Sequence, residues 1–344
     1  MERGGGNRDL QLWERVVEGS LRCNVCARRC VIAEGRTGFC GARKNVQGGM
    51  KLLVYGRVAS IHPAEMERKP LYHFHPGQKL LSVGTVGCNF RCPGCQNWEL
   101  AHADVEREVD RLPVIAPEEL VARAKALACA GLSFTYNEPT VWLEYTFDCM
   151  MLAKRAGMLT SYVTNGAMTT DALDAIGPWL DAFRVDIKAF SRRAYKAAAN
   201  FEAYEAVLEN ASRAKRRWKM HVEVVTNVVP GRNDDEGELL ALAQWIVREL
   251  GADVPWHITR FHPSFRLSGV GATPIDKLER IRESARRAGL RFAYLGNVPG
   301  HKGENTHCPA CGELLIERDS FRIVRNRLDR GRCFACGEAI PGCW

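Results

Sequence analysis

The sequence lacks the long hydrophobic runs of membrane-spanning and secreted proteins. No apolar stretch approaches the roughly 18 residues that cross a bilayer. The segment Met1 to Asp9 has no apolar core of signal-peptide length. Internal repeats and low-complexity segments are also absent, since Gly4-Gly5-Gly6 is too short to count as one. We therefore expect a cytoplasmic protein that does not associate with a membrane.

Neither sign of charge dominates the composition. Lys and Arg number 48 against 40 Asp and Glu, a net charge of +8, which is compatible with an acidic partner but short of a dedicated nucleic-acid binder. The 46% hydrophobic and 26% charged residues exclude wholesale disorder, a collagen-like fibre and a coiled coil. At 344 residues the chain is long enough for one catalytic-sized domain with smaller attachments.

Residues 78–300 alternate short apolar runs with segments of helical period, which predicts repeated βα units and a parallel sheet. The α/β fold class expected is a partial (β/α) TIM-type barrel, with a complete barrel or a doubly wound sheet as alternatives. Residues 1–77 and 301–344 are interpreted as small Cys-rich metal-binding modules. The predicted strands are Leu80–Val86, Leu132–Tyr136, Thr160–Thr164, Ala182–Ile187, His221–Val228, Trp256–Phe261 and Arg291–Leu295.

Close spacing within the fourteen cysteines indicates metal binding rather than disulfides in a cytosolic protein. Cys129, Cys149 and Cys343 stand apart from three groups. The first group is Cys23, Cys26, Cys30 and Cys40, the second is Cys88, Cys92 and Cys95, and the third is Cys308, Cys311, Cys333 and Cys336.

The second group follows the first predicted barrel strand directly, with the spacing Cys88-x3-Cys92-x2-Cys95. Three thiolates without a fourth nearby suit a four-iron cluster that keeps one iron open to an external ligand. A structural zinc loop that borrows a distant ligand and three ordinary buried thiols are the alternatives. The pattern favours the open cluster because it sits at a strand end, where barrel enzymes place their chemistry.

This spacing after a first barrel strand resembles the radical S-adenosylmethionine (radical SAM) enzymes, over about residues 78–300. The resemblance implies a [4Fe-4S] cluster whose open iron binds S-adenosylmethionine, with an external electron donor. It also implies reductive cleavage to a 5′-deoxyadenosyl radical that abstracts hydrogen from an unidentified substrate. One departure is Gly94, because the superfamily commonly has an adenine-contacting aromatic residue before the third cysteine.

The same resemblance implies cofactor contacts at other strand ends. Glu138, in Tyr136-Asn137-Glu138 where the superfamily often has Gly-Gly-Glu, is expected to bind the S-adenosylmethionine ammonium; a helix N-terminal carboxylate is the alternative. Asn165 is expected to contact ribose or carboxylate, unless it only forms a turn with Gly166.

The fourth predicted strand carries alternating charges. Arg184, Asp186 and Lys188 share one face, so a barrel interior there needs charge partners. Asp186 and Lys188 resemble the Asp-x-Lys pattern of glycyl-radical activating enzymes, where the lysine contacts the S-adenosylmethionine carboxylate. A surface salt bridge is the alternative. Near the sixth strand, His257, Arg260 and His262 are expected either in the core or against substrate. These are the residues at which we look for the cofactor site.

A closer resemblance, to the AmmeMemoRadiSam system radical SAM enzymes, spans most of the chain. These enzymes are relatives of pyruvate formate-lyase activating enzyme, and their name implies AmmeCR-family and Memo-family proteins as partners. Activation of a glycyl-radical enzyme is the alternative activity, and a zinc-dependent nucleic-acid-binding protein with an inactive barrel is the alternative class. The resemblance rests on Cys23-Asn-Val-Cys-Ala-Arg-Arg-Cys, Gly35-Arg-Thr-Gly-Phe-Cys-Gly, Glu67-Arg-Lys-Pro-Leu-Tyr-His-Phe-His-Pro-Gly, Cys95-Gln-Asn and Tyr136-Asn-Glu-Pro-Thr.

The two outer cysteine groups predict further metal sites, holding zinc or a second iron site. Four thiolates between Cys23 and Cys40 fit a tetrahedral zinc or an auxiliary iron–sulfur cluster equally well. The two Cys-x2-Cys pairs from Cys308 to Cys336 follow the zinc-ribbon pattern, with a rubredoxin-like iron site as alternative. Between these pairs, six arginines predict either a basic surface for nucleic acid or an acidic protein, or a solvated face. They are Arg318, Arg322, Arg325, Arg327, Arg330 and Arg332.

Overall fold

The computed structural model describes residues 10–344, so the first nine residues of the predicted N-terminal module lie outside the described residues. The described part of this module contains short antiparallel strands. One three-stranded sheet and one hairpin surround the first cysteine group. The strands are β1 (Trp13–Arg15), β2 (Leu21–Cys23), β3 (Val31–Ile32), β4 (Arg43–Val46) and β5 (Gly49–Leu52).

The central sheet has eight strands that follow one another in chain order. Its edge strand β6 (Ser60–Glu65) pairs antiparallel with β7, and all later neighbours are parallel. The edge strand lies inside the predicted N-terminal module, so the sheet takes one strand from that segment. The other strands are β7 (Lys79–Gly84), β8 (Gly131–Phe134), β9 (Leu159–Thr164), β10 (Ala182–Asp186), β11 (His221–Val228), β12 (Trp256–Arg260) and β13 (Ala293–Gly296).

Helices connect the parallel strands. Pro117 is the first residue of one helix, a position that suits proline, and Pro274 directly precedes another. The helices are α1 (Trp98–Ala101), α2 (Val105–Glu108), α3 (Pro117–Ala126), α4 (Leu143–Arg155), α5 (Thr170–Ile176), α6 (Arg192–Ala199), α7 (Glu205–Arg216), α8 (Glu236–Trp245) and α9 (Ile275–Arg287).

The strand order confirms the predicted α/β fold with a partial barrel. Every predicted strand is present with bounds shifted by no more than a few residues, because strands that are covered on both faces are nearly continuous apolar runs. A doubly wound sheet would reverse its strand order, whereas this sheet proceeds from β6 to β13 without reversal. The carboxyl ends of the seven parallel strands therefore face one common space.

The C-terminal module is built from two short antiparallel sheets. It packs on the barrel through a small core that joins Leu315 and Ile316 to Tyr72, Phe292 and Tyr294. Among residues 10–344, no helix is long and apolar enough to cross a membrane. The strands are β14 (Thr306–His307), β15 (Leu314–Asp319), β16 (Arg322–Asn326), β17 (Leu328–Asp329) and β18 (Arg332–Cys333).

Candidate cofactor and metal sites

A cavity of about 520 Å³ opens at the carboxyl ends of the parallel strands. Strand ends from β7 to β13 contribute to it, together with the segment before β7 and with the C-terminal module. All seven residues predicted for the catalytic cluster and S-adenosylmethionine line this one space. They are Cys88, Cys92, Cys95, Glu138, Asn165, Asp186 and Lys188.

The loop after β7 brings the three central cysteines together at the cavity. Burial raises the pKa of all three thiols, to about 11 for Cys92, where nearby Lys188 opposes the rise. Among residues 10–344, no other cysteine lines this cavity. The donor set therefore fits a four-iron cluster with one open iron. Binding such a cluster must release the thiol protons, because the ligands are thiolates.

Asn137 explains one departure from the superfamily pattern. Its Oδ1 accepts a hydrogen bond from Thr85 N at 3.2 Å, and its Nδ2 donates to Gly87 O at 2.8 Å. A glycine at this position would make neither contact. The side chain therefore fixes the loop that leads into Cys88. The preceding Tyr136 adopts a left-handed backbone with φ of +73°.

Gly94, the second departure, lies against a packed apolar wall. A Cβ atom at this position would stand 3.0 Å from Phe261 Cε2 and 3.1 Å from Leu267 Cδ1. A larger residue here would require Phe261 and Leu267 to shift. Leu267 itself lines the cavity and offers apolar surface at this place.

Glu138 is buried, and both of its carboxylate oxygens accept hydrogen bonds. Oε1 accepts from Thr140 N at 3.0 Å, Thr140 Oγ1 at 2.6 Å and Thr164 Oγ1 at 2.7 Å, while Oε2 accepts from Asn165 N at 2.7 Å. The carboxylate thus caps the short helix Pro139–Trp142, as the alternative interpretation expected. Direct contact with an ammonium group stays a prediction.

Asn165 links this carboxylate to the cysteine loop. Its Nδ2 donates to Asn89 Oδ1 at 2.7 Å, and its Oδ1 accepts from Ala167 N at 3.0 Å in a turn. Both side-chain polar atoms are therefore engaged within the protein. A contact with ribose or carboxylate stays a prediction.

The charges on β10 form one hydrogen-bonded group at the cavity. Asp186 Oδ1 accepts from Arg184 Nη1 at 2.5 Å, and Oδ2 accepts from Lys188 Nζ at 2.7 Å. Burial acts to raise the pKa of Asp186, but the two cations outweigh it and hold the pKa below its usual range. The ion pairs that the alternative expected are present, but they line the cavity rather than an outer surface. A contact with S-adenosylmethionine stays a prediction.

His257, Arg260 and His262, which lie on or just after β12, do not line the cavity. His257 is buried with Nε2 2.5 Å from Glu223 Oε2, and its ring stacks on Tyr294. Arg260 donates to Thr273 O, and His262 Nε2 lies 3.1 Å from the backbone oxygen of Asn297. His257 therefore lies in the core, which is one of the two positions expected for it.

Glu304 lines the same cavity although no sequence pattern indicated it. The side chain is buried, and within the described residues its Oε2 has no hydrogen-bond partner. Burial raises its pKa to about 7. Glu304 ends a short helix, Lys302–Glu304, that lies between β13 and β14 and packs against both β13 and β15.

The C-terminal cysteines form a closed four-thiol site. Cys308 Sγ lies 3.6 Å from Cys336 Sγ, and Cys311 Sγ lies 3.7 Å from Cys333 Sγ. All four sulfur atoms lie within 4.8 Å of one another. A tetrahedron with metal–sulfur distances of about 2.3 Å places its sulfur atoms about 3.8 Å apart. The site therefore fits a single tetrahedral metal ion.

Arg318 is buried and therefore does not belong to the predicted basic surface. Its Nη1 donates to Glu304 O at 3.1 Å and Thr306 Oγ1 at 2.8 Å, and its Nη2 donates to Tyr72 O at 3.1 Å. Strand alternation turns this arginine toward the barrel. Of the remaining five arginines, Arg322, Arg325, Arg330 and Arg332 are exposed and Arg327 is half-buried.

The N-terminal cysteines line a small cavity of their own. It is separate from the main one and includes Cys23, Cys26, Cys30 and Cys40. Asn89, from the central cysteine loop, also lines it. The two cavities thus lie on opposite sides of that loop.

Comparison with known proteins gives one family and several relatives. The family model described as the Radical SAM superfamily matches residues 82–243. The protein named Uncharacterized protein MJ0808, from Methanocaldococcus jannaschii, is 40% identical over 97% of this chain and 98% of its own length. The isethionate sulfite-lyase activating enzyme of Nitratidesulfovibrio vulgaris is 26% identical over 55% of this chain and 63% of its own length.

A solved structure shares the fold. The radical SAM methyltransferase from Sphaerobacter thermophilus covers 70% of this chain and 71% of its own, with a TM-score of 0.51 at 15% identity. The family match begins on β7 and extends through the cysteine loop and four further parallel strands. We conclude that residues 82–243 form a radical SAM domain.

Proposed function

We propose that this protein cleaves S-adenosylmethionine reductively and uses the resulting radical to remove a hydrogen atom from a substrate. The observation that carries the proposal is the common cavity, which is lined by Cys88, Cys92 and Cys95 and by the charged pair of Asp186 and Lys188. When bound, a [4Fe-4S] cluster and S-adenosylmethionine supply the 5′-deoxyadenosyl radical.

The chain's own residues orient the cofactor and limit water access. The three thiols provide the cluster ligands, and Asn137 fixes the loop that carries them. Lys188 offers its ammonium group to the cofactor carboxylate. Asp186 Oδ2 accepts a hydrogen bond from Lys188 Nζ at 2.7 Å and so holds that group in place. Buried Leu267 gives the cavity an apolar side next to Gly94.

Anaerobic reconstitution tests this function. The wild-type protein, reduced with dithionite in the presence of S-adenosylmethionine, should produce 5′-deoxyadenosine, and Cys88→Ala should abolish it. Cys129→Ala is the matched control, because this buried thiol lies outside the three groups. Reductive cleavage by Cys88→Ala at the wild-type rate would refute the assignment.

A narrower proposal is activation of a glycyl-radical enzyme. It is supported by similarity to the activating enzyme of Nitratidesulfovibrio vulgaris over 55% of this chain. The hydrogen atom would then come from a glycine of the partner polypeptide. Electron paramagnetic resonance should show a stable protein radical when both proteins are present, and no such signal with either protein alone.

We also propose membership of the AmmeMemoRadiSam group, on the motifs around Cys23, Glu67 and Glu138. Its partners would be an external electron donor and proteins of the AmmeCR and Memo families. Anaerobic pull-down of purified candidates with the reconstituted protein tests this assignment. Absence of any complex, and of any effect on 5′-deoxyadenosine production, would count against it.

A further inference from the structure

The four N-terminal cysteines converge although they come from different local elements. Cys23 ends β2, and the other three lie in loops. Burial and the neighbouring thiols Cys40, Cys23 and Cys30 together raise the pKa of Cys26 to about 12. All four line one small cavity. These thiols therefore form one site.

The spacing of these thiols differs from that of the C-terminal site. Among the described residues, only the C-terminal group brings three or more such ligand atoms within 4.8 Å of one another. Any three of the N-terminal sulfur atoms therefore include at least one wider separation. A single tetrahedral ion requires sulfur atoms about 3.8 Å apart. An iron–sulfur cluster spreads its thiolates around several irons and holds them further apart.

Asn89, which lines the same cavity, has a buried hydrogen-bond donor without a partner. Asn89 is 1% exposed, and its Oδ1 accepts a hydrogen bond from Asn165. Within the described residues its Nδ2 has no partner, although Asn89 lines the cavity. An unpaired buried donor is costly, so an acceptor is expected there. Sulfide and thiolate sulfur atoms of a cluster are such acceptors, and hydrogen bonds to sulfur are typical of these sites.

The cavity wall also provides positive charge and apolar surface. Arg28 and Arg43 line it. Glu144 neutralises Arg43 through a bidentate ion pair at 2.6–2.7 Å, so the net positive charge comes from Arg28. Arg28 donates to the backbone oxygen of Asn89 and to Asn200 O. The apolar part of the wall consists of Val25, Ile32, Phe39 and Val141. These surroundings suit an anionic group.

From this geometry we propose that Cys23, Cys26, Cys30 and Cys40 hold a polynuclear iron–sulfur cluster rather than zinc. Its place in the fold is directly behind the central cysteine loop. Asn89 faces the N-terminal cavity, whereas its chain neighbours Cys88 and Phe90 face the main one. The two sites therefore share one loop as a wall.

The experiment measures iron, acid-labile sulfide and zinc per chain. A background variant in which Cys88, Cys92 and Cys95 are all alanine removes the central site. After anaerobic reconstitution this full-length variant should retain acid-labile sulfide together with at least as much iron. Adding Cys26→Ser and Cys40→Ser should remove the sulfide and its iron. Adding Cys129→Ser instead should leave both unchanged, because Cys129 lies outside the site.

The content of acid-labile sulfide distinguishes an iron–sulfur cluster from zinc and from a mononuclear iron. A mononuclear iron at Cys308–Cys336 contributes iron without sulfide, so it cannot imitate the expected result. Sulfide-free protein in the background variant would overturn the proposal. If that variant fails to fold, the zinc content of the wild-type protein decides. Two zinc ions per chain would also overturn it, whereas at most one is expected.

Discussion

Arg318 Nε and Glu67 Oε1 lie 3.7 Å apart, and both side chains are completely buried. The arginine comes from β15 of the C-terminal module, and the glutamate precedes β7 at the cavity wall. The guanidinium also covers the ring of Tyr72 at 4.0 Å. This pair attaches the C-terminal module to the segment that borders the candidate active site.

Removing this guanidinium should destabilise the protein strongly. Arg318→Met leaves Glu67 buried without its cation, which costs about 3–5 kcal/mol in the free energy of unfolding. Arg325→Met, on the exposed face of the same module, should change it by less than about 0.5 kcal/mol. Urea denaturation under anaerobic conditions measures both. Equal effects of the two substitutions would show that the buried pair does not stabilise the fold.

Lys188→Met should weaken S-adenosylmethionine binding. A charge-assisted contact with the cofactor carboxylate is worth about 1.5–3 kcal/mol, or roughly ten- to hundredfold in affinity. The iron content should stay unchanged, because Lys188 is not a cluster ligand. Titration followed by cluster-sensitive spectroscopy measures the affinity, with exposed Lys125→Met as the control. Wild-type affinity in Lys188→Met would remove this residue from the cofactor site.

Glu304 should make the stability depend on pH. Burial raises its pKa from 4.5 to about 7, with Arg318 opposing and Asp319 adding to the rise. A carboxyl with a raised folded-state pKa favours the folded protein most at low pH, and this contribution is lost as the pH rises toward 7. Denaturation at several pH values measures how the free energy of unfolding changes with pH. Glu304→Gln should remove the part of this dependence that comes from Glu304. Exposed Glu283→Gln should keep it.

The C-terminal metal site should depend on two glycines with left-handed backbone. Gly312 and Gly337 follow the second cysteine of each pair, with φ of +82° and +77°. Alanine meets no steric obstacle there, so its cost is backbone strain of about 1–2 kcal/mol. Either substitution should lower metal affinity by roughly tenfold in chelator competition. Gly269→Ala, which has open space and no positive φ, should leave the affinity unchanged.

Features that depend on neighbours along the chain could be predicted from the sequence. The strands followed from apolar runs, and the loop after β7 followed from three closely spaced cysteines. Cys308, Cys311, Cys333 and Cys336 were also recognisable, because each Cys-x2-Cys pair is itself a local turn. Such patterns can be recognised in a sequence because backbone geometry and burial constrain residues that are close along the chain.

The spacing of cysteines along the sequence could not identify the metal at the N-terminal site. Zinc and iron–sulfur clusters accept the same four thiolates, and only the distances between folded loops distinguish them. The same holds for Glu138, whose four hydrogen bonds come from three residues gathered by the fold.

The sequence by itself determined the barrel, the cysteine groups and the superfamily. Tertiary structure decided which side chains close the cavity. Arg318 belongs to an arginine-rich segment, yet strand alternation and barrel packing bury it beside Glu67. Glu304 reaches the cavity because the short helix Lys302–Glu304 packs against β13 and β15. Burial and pairing of charges depend on contacts between distant segments, and no local pattern encodes those contacts.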